Sequence, residues 1–329
     1  MRDATVERRE LRDAFQTLLE HVADGHVDSD DPSDRERRAA AWDEIVESGL
    51  LDLSDEEGGD ASVIDATILL VALGRSGLAQ PVGAALVASS VLRQAGGHDQ
   101  LVQGIVAGQR VCLVDPHRRE GDFATEAEHY LVVGPESLHL ADRAAVTLGG
   151  ARGTDAARDL RAVDVDLDLA VRLETPADAL SDALLRRQLA DAAELVGVLD
   201  GIVDQTLKFL GQRRQFGRVI GGFQAVKHGV VDVVVQLEAG RALLYRAARL
   251  LDEQDSAREV AVMAACSRLA RASRELCATA FQYHGAIAHT WEFDLHVRIK
   301  RAMALQLSGG ATERARERIA HHVIDLASV

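Results

Sequence analysis

The chain has 329 residues, of which 47% are hydrophobic and only 4% aromatic, and its formal net charge is -15. Such an acidic chain is a poor candidate for non-specific nucleic-acid binding, which requires basic surface to displace counterions from phosphates. Its length fits one large domain or two to three small ones. Because Ala, Leu and Val must fill a core with few rings, and Ala and Leu are good helix formers, the composition favours helix.

The three cysteines, Cys112, Cys266 and Cys277, follow no metal-binding or redox spacing. They are typical of reduced, buried side chains in an intracellular protein. The N-terminal residues lack the apolar core of a signal peptide, and no segment reaches the apolar length of a bilayer span. These features predict a soluble, cytoplasmic protein that contacts no membrane.

The first region, residues 1–107, is predicted to form an N-terminal helical domain. Apolar side chains recur there at helical spacing, as in Leu11–Leu19. The charged segment Asp28–Asp34 is predicted to be a loop. Glycine pairs at 58–59 and 96–97 are predicted to form a turn and to end a helix, respectively.

The middle region, residues 108–175, has the pattern of a small β domain with about five strands. Short apolar runs at Val111–Val114 and Tyr130–Val133 are bounded by Pro, Gly and Asp. A further strand is predicted from Val163 to Leu169, where apolar residues alternate with aspartates.

The last region, residues 176–329, is helical again and is predicted to form a C-terminal four-helix bundle. Its first helix carries apolar residues from Leu184 and ends near Gln212. Two further long helices follow, and the last begins near residue 293 and is interrupted by glycines at 309–310. Long antiparallel helices with short connections are typical of such a bundle.

Two segments of this last region carry recognisable motifs. RRQFGRVIGGFQAVKH, Arg213–His228, contains an Arg, two variable residues, Phe-Gly and a later Gln. QYHGAIAHTWEFDLHVRIKRA, Gln282–Ala302, is similar to a Gln-x-x-Gly-Gly-x-Gly motif followed by an aromatic residue and a Glu. Both resemble the acyl-CoA dehydrogenase family. The segment Glu56–Val82 resembles that family's first domain, so the resemblance covers nearly the whole chain.

The resemblance implies FAD as cofactor and assigns its contacts. The arginine that matches Arg213 contacts FAD across a dimer interface in the family, and a guanidinium offers a rigid fork of donors to a diphosphate. Phe216 would pack against the flavin nucleotide, and Gln224 would form a hydrogen bond with it. Gln282 and Gly285 match the segment whose glycines let backbone approach the adenosine diphosphate.

The resemblance also implies a catalytic base, Glu292. In one branch of the family a Glu at this position removes the α-proton of the thioester while the flavin takes the β-hydride. A carboxylate does this work only when it is desolvated, and the flanking Trp291 and Phe293 are predicted to provide apolar cover. Other members place the base early in the long bundle helix, but that position falls near Arg187, where no carboxylate lies.

The middle region departs from the family pattern. Val114 stands where the family has a hydroxyl residue that faces the flavin ring, and the Ala-Gly-Ser-Asp element that follows in the family is absent. Ala286 and Ala288 replace two family glycines and are predicted to crowd the nucleotide contact. The region is also shorter than the family's β barrel. These departures resemble the shorter subunit of actinobacterial α2β2 enzymes that act on steroid or polyketide-like CoA thioesters.

Simpler interpretations stay open for both charged residues. Arg213 could solvate the end of a helix, and Glu292 could cap the start of the last helix. Several histidines lie in the last region, but no tight ligand spacing such as H-E-x-x-H occurs, so no metal site is predicted.

The predicted function is that of an FAD-dependent acyl-CoA dehydrogenase subunit. It would form a trans-2-enoyl-CoA and pass electrons to an electron-transfer flavoprotein, working as a dimer or heterotetramer with a second acyl-CoA dehydrogenase chain or with itself. The alternative is a non-catalytic partner that clamps FAD for another chain and serves as a scaffold. A structural homodimer that has lost flavin is less compatible with the retained Arg213 motif and Glu292.

Overall fold

The computed structural model describes most of the chain, in these ranges: 4–23, 32–53, 62–134, 136–151, 153–308 and 319–320. The glycine pairs at 58–59 and 309–310 lie outside the described residues, as does the beginning of the segment Glu56–Val82. The first residues of the predicted loop Asp28–Asp34 also lie outside them, and its last residues already belong to a helix.

The N-terminal region is helical, as predicted. Its helices are α1 (Ala4–Ala23), α2 (Pro32–Glu47), α3 (Val63–Ser76), α4 (Val82–Ala95) and α5 (Asp99–Val106). Helix α4 ends where the sequence predicts: Gly96 has a φ of 71°, and its N–H donates to the carbonyls of Leu92 and Arg93. Glycine is suited to this position because it adopts positive φ without steric cost.

The middle region forms two small sheets. Within the described residues it contains seven strands, more than the five predicted: β1 (Val111–Val114), β2 (Glu120–Gly121), β3 (His129–Val133), β4 (Leu138–Asp142), β5 (Val146–Ala151), β6 (Arg161–Val165) and β7 (Val171–Arg172). One sheet has the order β1-β3-β4-β7 and the other β2-β6-β5. Among the described strands of these sheets, β1 and β3 pair in parallel and the other pairs are antiparallel.

The prediction of a continuous strand from Val163 to Leu169 is wrong beyond Val165. The Asp166 carboxylate accepts a hydrogen bond from the N–H of Asp168 at 3.1 Å, and the Asp166 carbonyl accepts one from the N–H of Leu169 at 3.2 Å. Aspartate favours such turns because its side chain bonds to nearby backbone. The turn therefore overrides the alternating pattern and leaves the Leu169 side chain exposed.

The last region contains four helices among the described residues: α6 (Ala177–Gln212), α7 (Gln224–Asp252), α8 (Arg258–His284) and α9 (Leu295–Leu307). A short hairpin of β8 (Arg214–Gln215) and β9 (Arg218–Val219) connects α6 to α7. Helices α7 and α8 pack closely, and Gly240 of α7 leaves room for the Leu269 side chain of α8. The mainly helical fold with a small β region agrees with the sequence analysis.

The chain divides into two compact units. The first comprises Met1–Leu70 and Leu78–Ala190, and the second comprises Val71–Gly77 and Asp191–Val329. Within the second unit, Arg301 is buried and donates to the Gly77 carbonyl at 2.8 Å, so α9 satisfies a backbone acceptor just beyond the end of α3. The predicted domain boundaries at 107/108 and 175/176 stay predictions.

Candidate functional site

The motif around Arg213 forms a tight hairpin between α6 and α7. The N–H of Ile220 donates to the Arg213 carbonyl at 2.8 Å and closes the hairpin. Phe216 and Gly217 form its tip with φ values of 51° and 79°. Two consecutive residues with positive φ are typical of a type I′ turn. The sequence therefore folds locally so that the Phe216 ring stands at the tip.

Phe216 is unusual in both conformation and exposure. A residue other than glycine held in the left-handed region costs about 1–3 kcal/mol. The side chain is 91% exposed, and within the described residues its ring contacts one other ring, Phe223, edge to face at 6.3 Å. The contacts within the chain therefore do not account for a strained aromatic residue here, and such residues cluster at ligand sites. Arg213 and Gln224 are also exposed.

The second motif begins at the end of α8. Gly285 has a φ of 65° and a ψ of -140°, a conformation that L side chains rarely adopt, and no atom lies within 4 Å of a Cβ built on it. Gln282 and Gly285 are exposed, so a ligand can approach backbone here. Ala288 is buried, and its methyl group packs inward rather than crowding the surface. Ala286 remains exposed beside Gly285.

Glu292 lies between the end of α8 and the start of α9, and it is exposed. Trp291 is 76% exposed and lies against His296 and the Lys300 ammonium, each 5.0 Å from its ring centroid. Phe293 instead contacts His284, with ring centroids 5.1 Å apart. The flanking rings therefore do not bury the Glu292 carboxylate in this chain, contrary to the predicted apolar cover.

A cluster of three rings, which we call the ring triad, joins these segments. His284 at the end of α8 stacks on Phe209 of α6 at 4.4 Å and contacts Phe293 at 5.1 Å. Phe209 and Phe293 also meet edge to face at 6.2 Å. The sequence analysis did not predict the ring triad. The one sequence signal for it is that each motif has an aromatic or imidazole side chain within it or next to it.

The comparison with known proteins decides the family. A family model described as "Acyl-CoA dehydrogenase, C-terminal domain" matches residues 178–324. The curated protein "Acyl-CoA dehydrogenase IpdE2" of Mycobacterium tuberculosis is 30% identical over 307 residues, which cover 90% of this chain and 91% of that protein. This chain belongs to the acyl-CoA dehydrogenase family.

Two solved structures share the fold of this acyl-CoA dehydrogenase family chain along nearly its whole length. The ChsE4-ChsE5 complex from Mycobacterium tuberculosis matches with a TM-score of 0.81 at 19% identity, covering 96% of this chain and 97% of that chain. A variant of the Tcur3481-Tcur3483 steroid ACAD also gives 0.81, at 22% identity, covering 98% and 100%. Similarity at this level of identity establishes the fold.

Val114 of the β region has no side-chain donor to offer a flavin ring. Val114 is buried within an apolar cluster that also contains Cys112 and Tyr130. Its side chain has no hydroxyl donor, and it packs into the sheet core. In contrast, the exposed Arg213 guanidinium and the open backbone at Gly285 fit a negatively charged nucleotide. Arg213 and Gly285 therefore fit the nucleotide half of FAD, whereas the Val114 side chain provides no hydrogen bond to its ring.

The cysteines are buried, as predicted, and are unsuited to redox chemistry. Burial raises the pKa of Cys266 to about 12 and that of Cys277 to about 11. Burial also raises the pKa of the Cys112 thiol, with the nearby Asp122 carboxylate adding to the shift. Because the thiolate is the reactive form, these protonated thiols are unreactive.

An apolar cavity in the first unit is a second feature that sequence reasoning missed. It lies between α3, α4 and the beginning of α6, has a volume of about 40 Å³, and its lining includes Leu70, Leu86 and Leu189. Gly83 also lines it, and a Cβ added there would make ordinary van der Waals contacts with Leu70 at 3.5 Å and Ala190 at 3.6 Å.

Two features, a metal-ion site and a membrane-spanning helix, are absent from the part of the chain that the structure describes. No group of three or more His, Cys, Asp or Glu side chains there is arranged to hold a metal ion. In the same part of the chain, no helix combines the length and the apolar character needed to cross a bilayer.

Proposed function

We propose that this chain is a subunit of an FAD-dependent acyl-CoA dehydrogenase that converts an acyl-CoA thioester to a trans-2-enoyl-CoA. The observation that carries this proposal is the strained hairpin tip, where Phe216 is 91% exposed beside the exposed Arg213. Membership of the family supplies the reaction class, since the chain matches a curated acyl-CoA dehydrogenase over 90% of its length. An electron-transfer flavoprotein would then accept the electrons.

The proposed cofactor contacts follow from the side chains that the structure leaves exposed. Arg213 would bind the FAD diphosphate through charge-assisted hydrogen bonds, Phe216 would pack against the nucleotide, and Gln224 would form a hydrogen bond with it. The exposed Gln282 and the open backbone at Gly285 would face the adenosine diphosphate. FAD, when bound, supplies the acceptor for the β-hydride of the thioester.

Glu292 is the proposed base for the α-proton. Its carboxylate is exposed in this chain, so the desolvation that a base requires would come from substrate and from a second chain. Helix α7 supports such an assembly, because Val231 and Val235 are exposed apolar side chains on the same helix whose Leu237 and Leu244 are buried. We therefore propose that this helix contacts a second acyl-CoA dehydrogenase chain.

The partner is proposed to be an unlike chain, and the substrate a steroid-derived or similarly bulky acyl-CoA. One similar solved structure is a complex of ChsE4 and ChsE5, and the other is a steroid ACAD.

A second candidate function is a non-catalytic partner that clamps FAD for another chain. The buried Val114 favours it, because the position that faces the flavin ring in the family here lies in an apolar core. The two functions differ in where the base lies, and a substitution of Glu292 distinguishes them.

The substrate test uses the assembly purified with a candidate second chain from the same source. Anaerobic addition of CoA thioesters, from short straight-chain acyl groups to steroid side chains, should bleach the flavin absorbance. It should also yield a product two hydrogen atoms lighter, detectable by mass spectrometry, with the bulky thioesters reacting at the lowest concentrations. Bound FAD that no thioester reduces would contradict the proposed reaction. Equal reduction by the second chain alone would contradict the need for this subunit.

A further inference from the structure

The ring triad connects the three segments to which the proposed function assigns roles. The N–H of Arg213 donates to the Phe209 carbonyl at 2.9 Å. The residue that begins the hairpin is therefore hydrogen-bonded to the residue that carries the Phe209 ring. His284 directly precedes Gly285, and Phe293 directly follows Glu292. The described ring contacts therefore link the hairpin, the nucleotide-facing glycine and the candidate base.

The His284 ring is held by its neighbours' rings rather than by polar contacts with other elements. The side chain is only 6% exposed, and its Nδ1–H donates to the Ala280 carbonyl of its own helix at 2.8 Å. The carbonyl can only accept, which makes Nδ1 the protonated nitrogen. The buried Nε2 has no hydrogen-bond partner among the residues that the structure describes. Burial lowers the pKa of His284, which favours the neutral ring.

We propose that His284 is a positioning residue, whose contacts with Phe209 and Phe293 hold the Arg213 hairpin and the Glu292 segment in one fixed arrangement. The inference rests on the proposed function for its catalytic consequence. The positioning role itself rests on the ring contacts within this chain. A side chain held by tight packing keeps a reactive group close to its productive position, and a displacement of about 1 Å can lower a rate by about 100-fold.

A matched control lies five residues along the same segment. His289 also stacks on a phenylalanine, Phe281 of α8, at 5.0 Å with an interplanar angle of 19°. It is exposed, and its ring contacts no ring of α6 and neither ring beside Glu292 in the part of the chain that the structure describes. Removal of this ring should therefore leave the arrangement unchanged.

The first test needs neither FAD nor substrate, because Trp291 reports on the Glu292 segment. The chain has two tryptophans, and Trp42 is 3% exposed whereas Trp291 is 76% exposed. A Trp42→Phe background isolates Trp291, and time-resolved fluorescence anisotropy measures its local motion. His284→Gln, which keeps hydrogen-bonding groups but removes the ring, should increase the fast local motion of Trp291. His284→Phe, which keeps a ring, and His289→Ala should match the parent.

The second test is the rate of flavin reduction by acyl-CoA in the assembled complex. His284→Gln should lower kcat by about 10-fold to 100-fold, and His284→Phe should stay within a few fold of the parent. Unchanged Trp291 motion in His284→Gln would overturn the inference, as would a His284→Phe variant that behaves like His284→Gln. If the parental complex reduces no thioester, the proposed function fails, while the anisotropy result still decides the positioning role.

Discussion

Replacement of Glu292 by Gln should lower the rate of flavin reduction by acyl-CoA by about 100-fold to 10,000-fold, the usual contribution of a general base. Gln keeps the shape of the side chain and cannot accept the α-proton. Because Glu292 is exposed in this chain and is not among the proposed FAD contacts, flavin content should stay at the parental level. Anaerobic stopped-flow absorbance of the assembled complex measures the rate.

The control for this substitution is Glu275→Gln on α8. Glu275 forms an ion pair with the exposed Arg271 at 2.8 Å, away from both motifs, and an exposed pair of this kind contributes little. Its rate should equal that of the parent. If Glu292→Gln also reduces flavin at the parental rate, the base lies in the second chain. The present chain would then be the FAD-clamping partner.

Replacement of Arg213 by Ala should weaken FAD binding to the assembly while leaving the fold intact. Loss of one hydrogen bond from a charged group corresponds to about 1.5–3 kcal/mol, or about a 10-fold to 150-fold increase in Kd. The side chain is exposed, so no buried partner is left without a bond. Titration of the flavin-free complex with FAD, followed by fluorescence, measures the affinity, and Arg271→Ala is the matched surface control. An unchanged Kd would reject the contact.

Phe216→Asn separates binding from folding at the same hairpin. Asn adopts the left-handed region more readily than Phe does, so the urea midpoint of this chain should stay level or rise. FAD affinity should nevertheless fall, because the exposed ring is lost. A variant that loses both stability and flavin would instead identify Phe216 as a structural residue.

The helices were predictable because their signals are local. Apolar periodicity and the pair at 96–97 predicted the helical regions and the end of α4, and the first bundle helix ends at Gln212 as expected. The strands were less predictable, since β2 and β7 contain two residues each and leave almost no pattern. The alternation of apolar residues after Val163 predicted too long a strand, because the hydrogen bonds of Asp166 form a turn there instead.

The residues of the candidate site were likewise predictable where their signals are local in the sequence and not elsewhere. Arg213 and Gln282 were identified from contiguous motifs, and the structure adds that both are exposed. His284 could not be identified, because its ring contacts come from Phe209 and from Phe293, residues that periodicity does not connect with it. Tertiary packing alone brings these rings together.

We propose that this chain of the acyl-CoA dehydrogenase family binds FAD as part of an assembly with an unlike chain. The most direct measurement is the flavin content of the chain purified alone and purified together with the candidate second chain, with the oligomeric state determined by light scattering. We expect the chain alone to carry little flavin, and the assembly to carry tightly bound FAD that is lost in Arg213→Ala. Full flavin occupancy on the chain alone, or an assembly whose flavin content is unchanged in Arg213→Ala, would contradict this proposal.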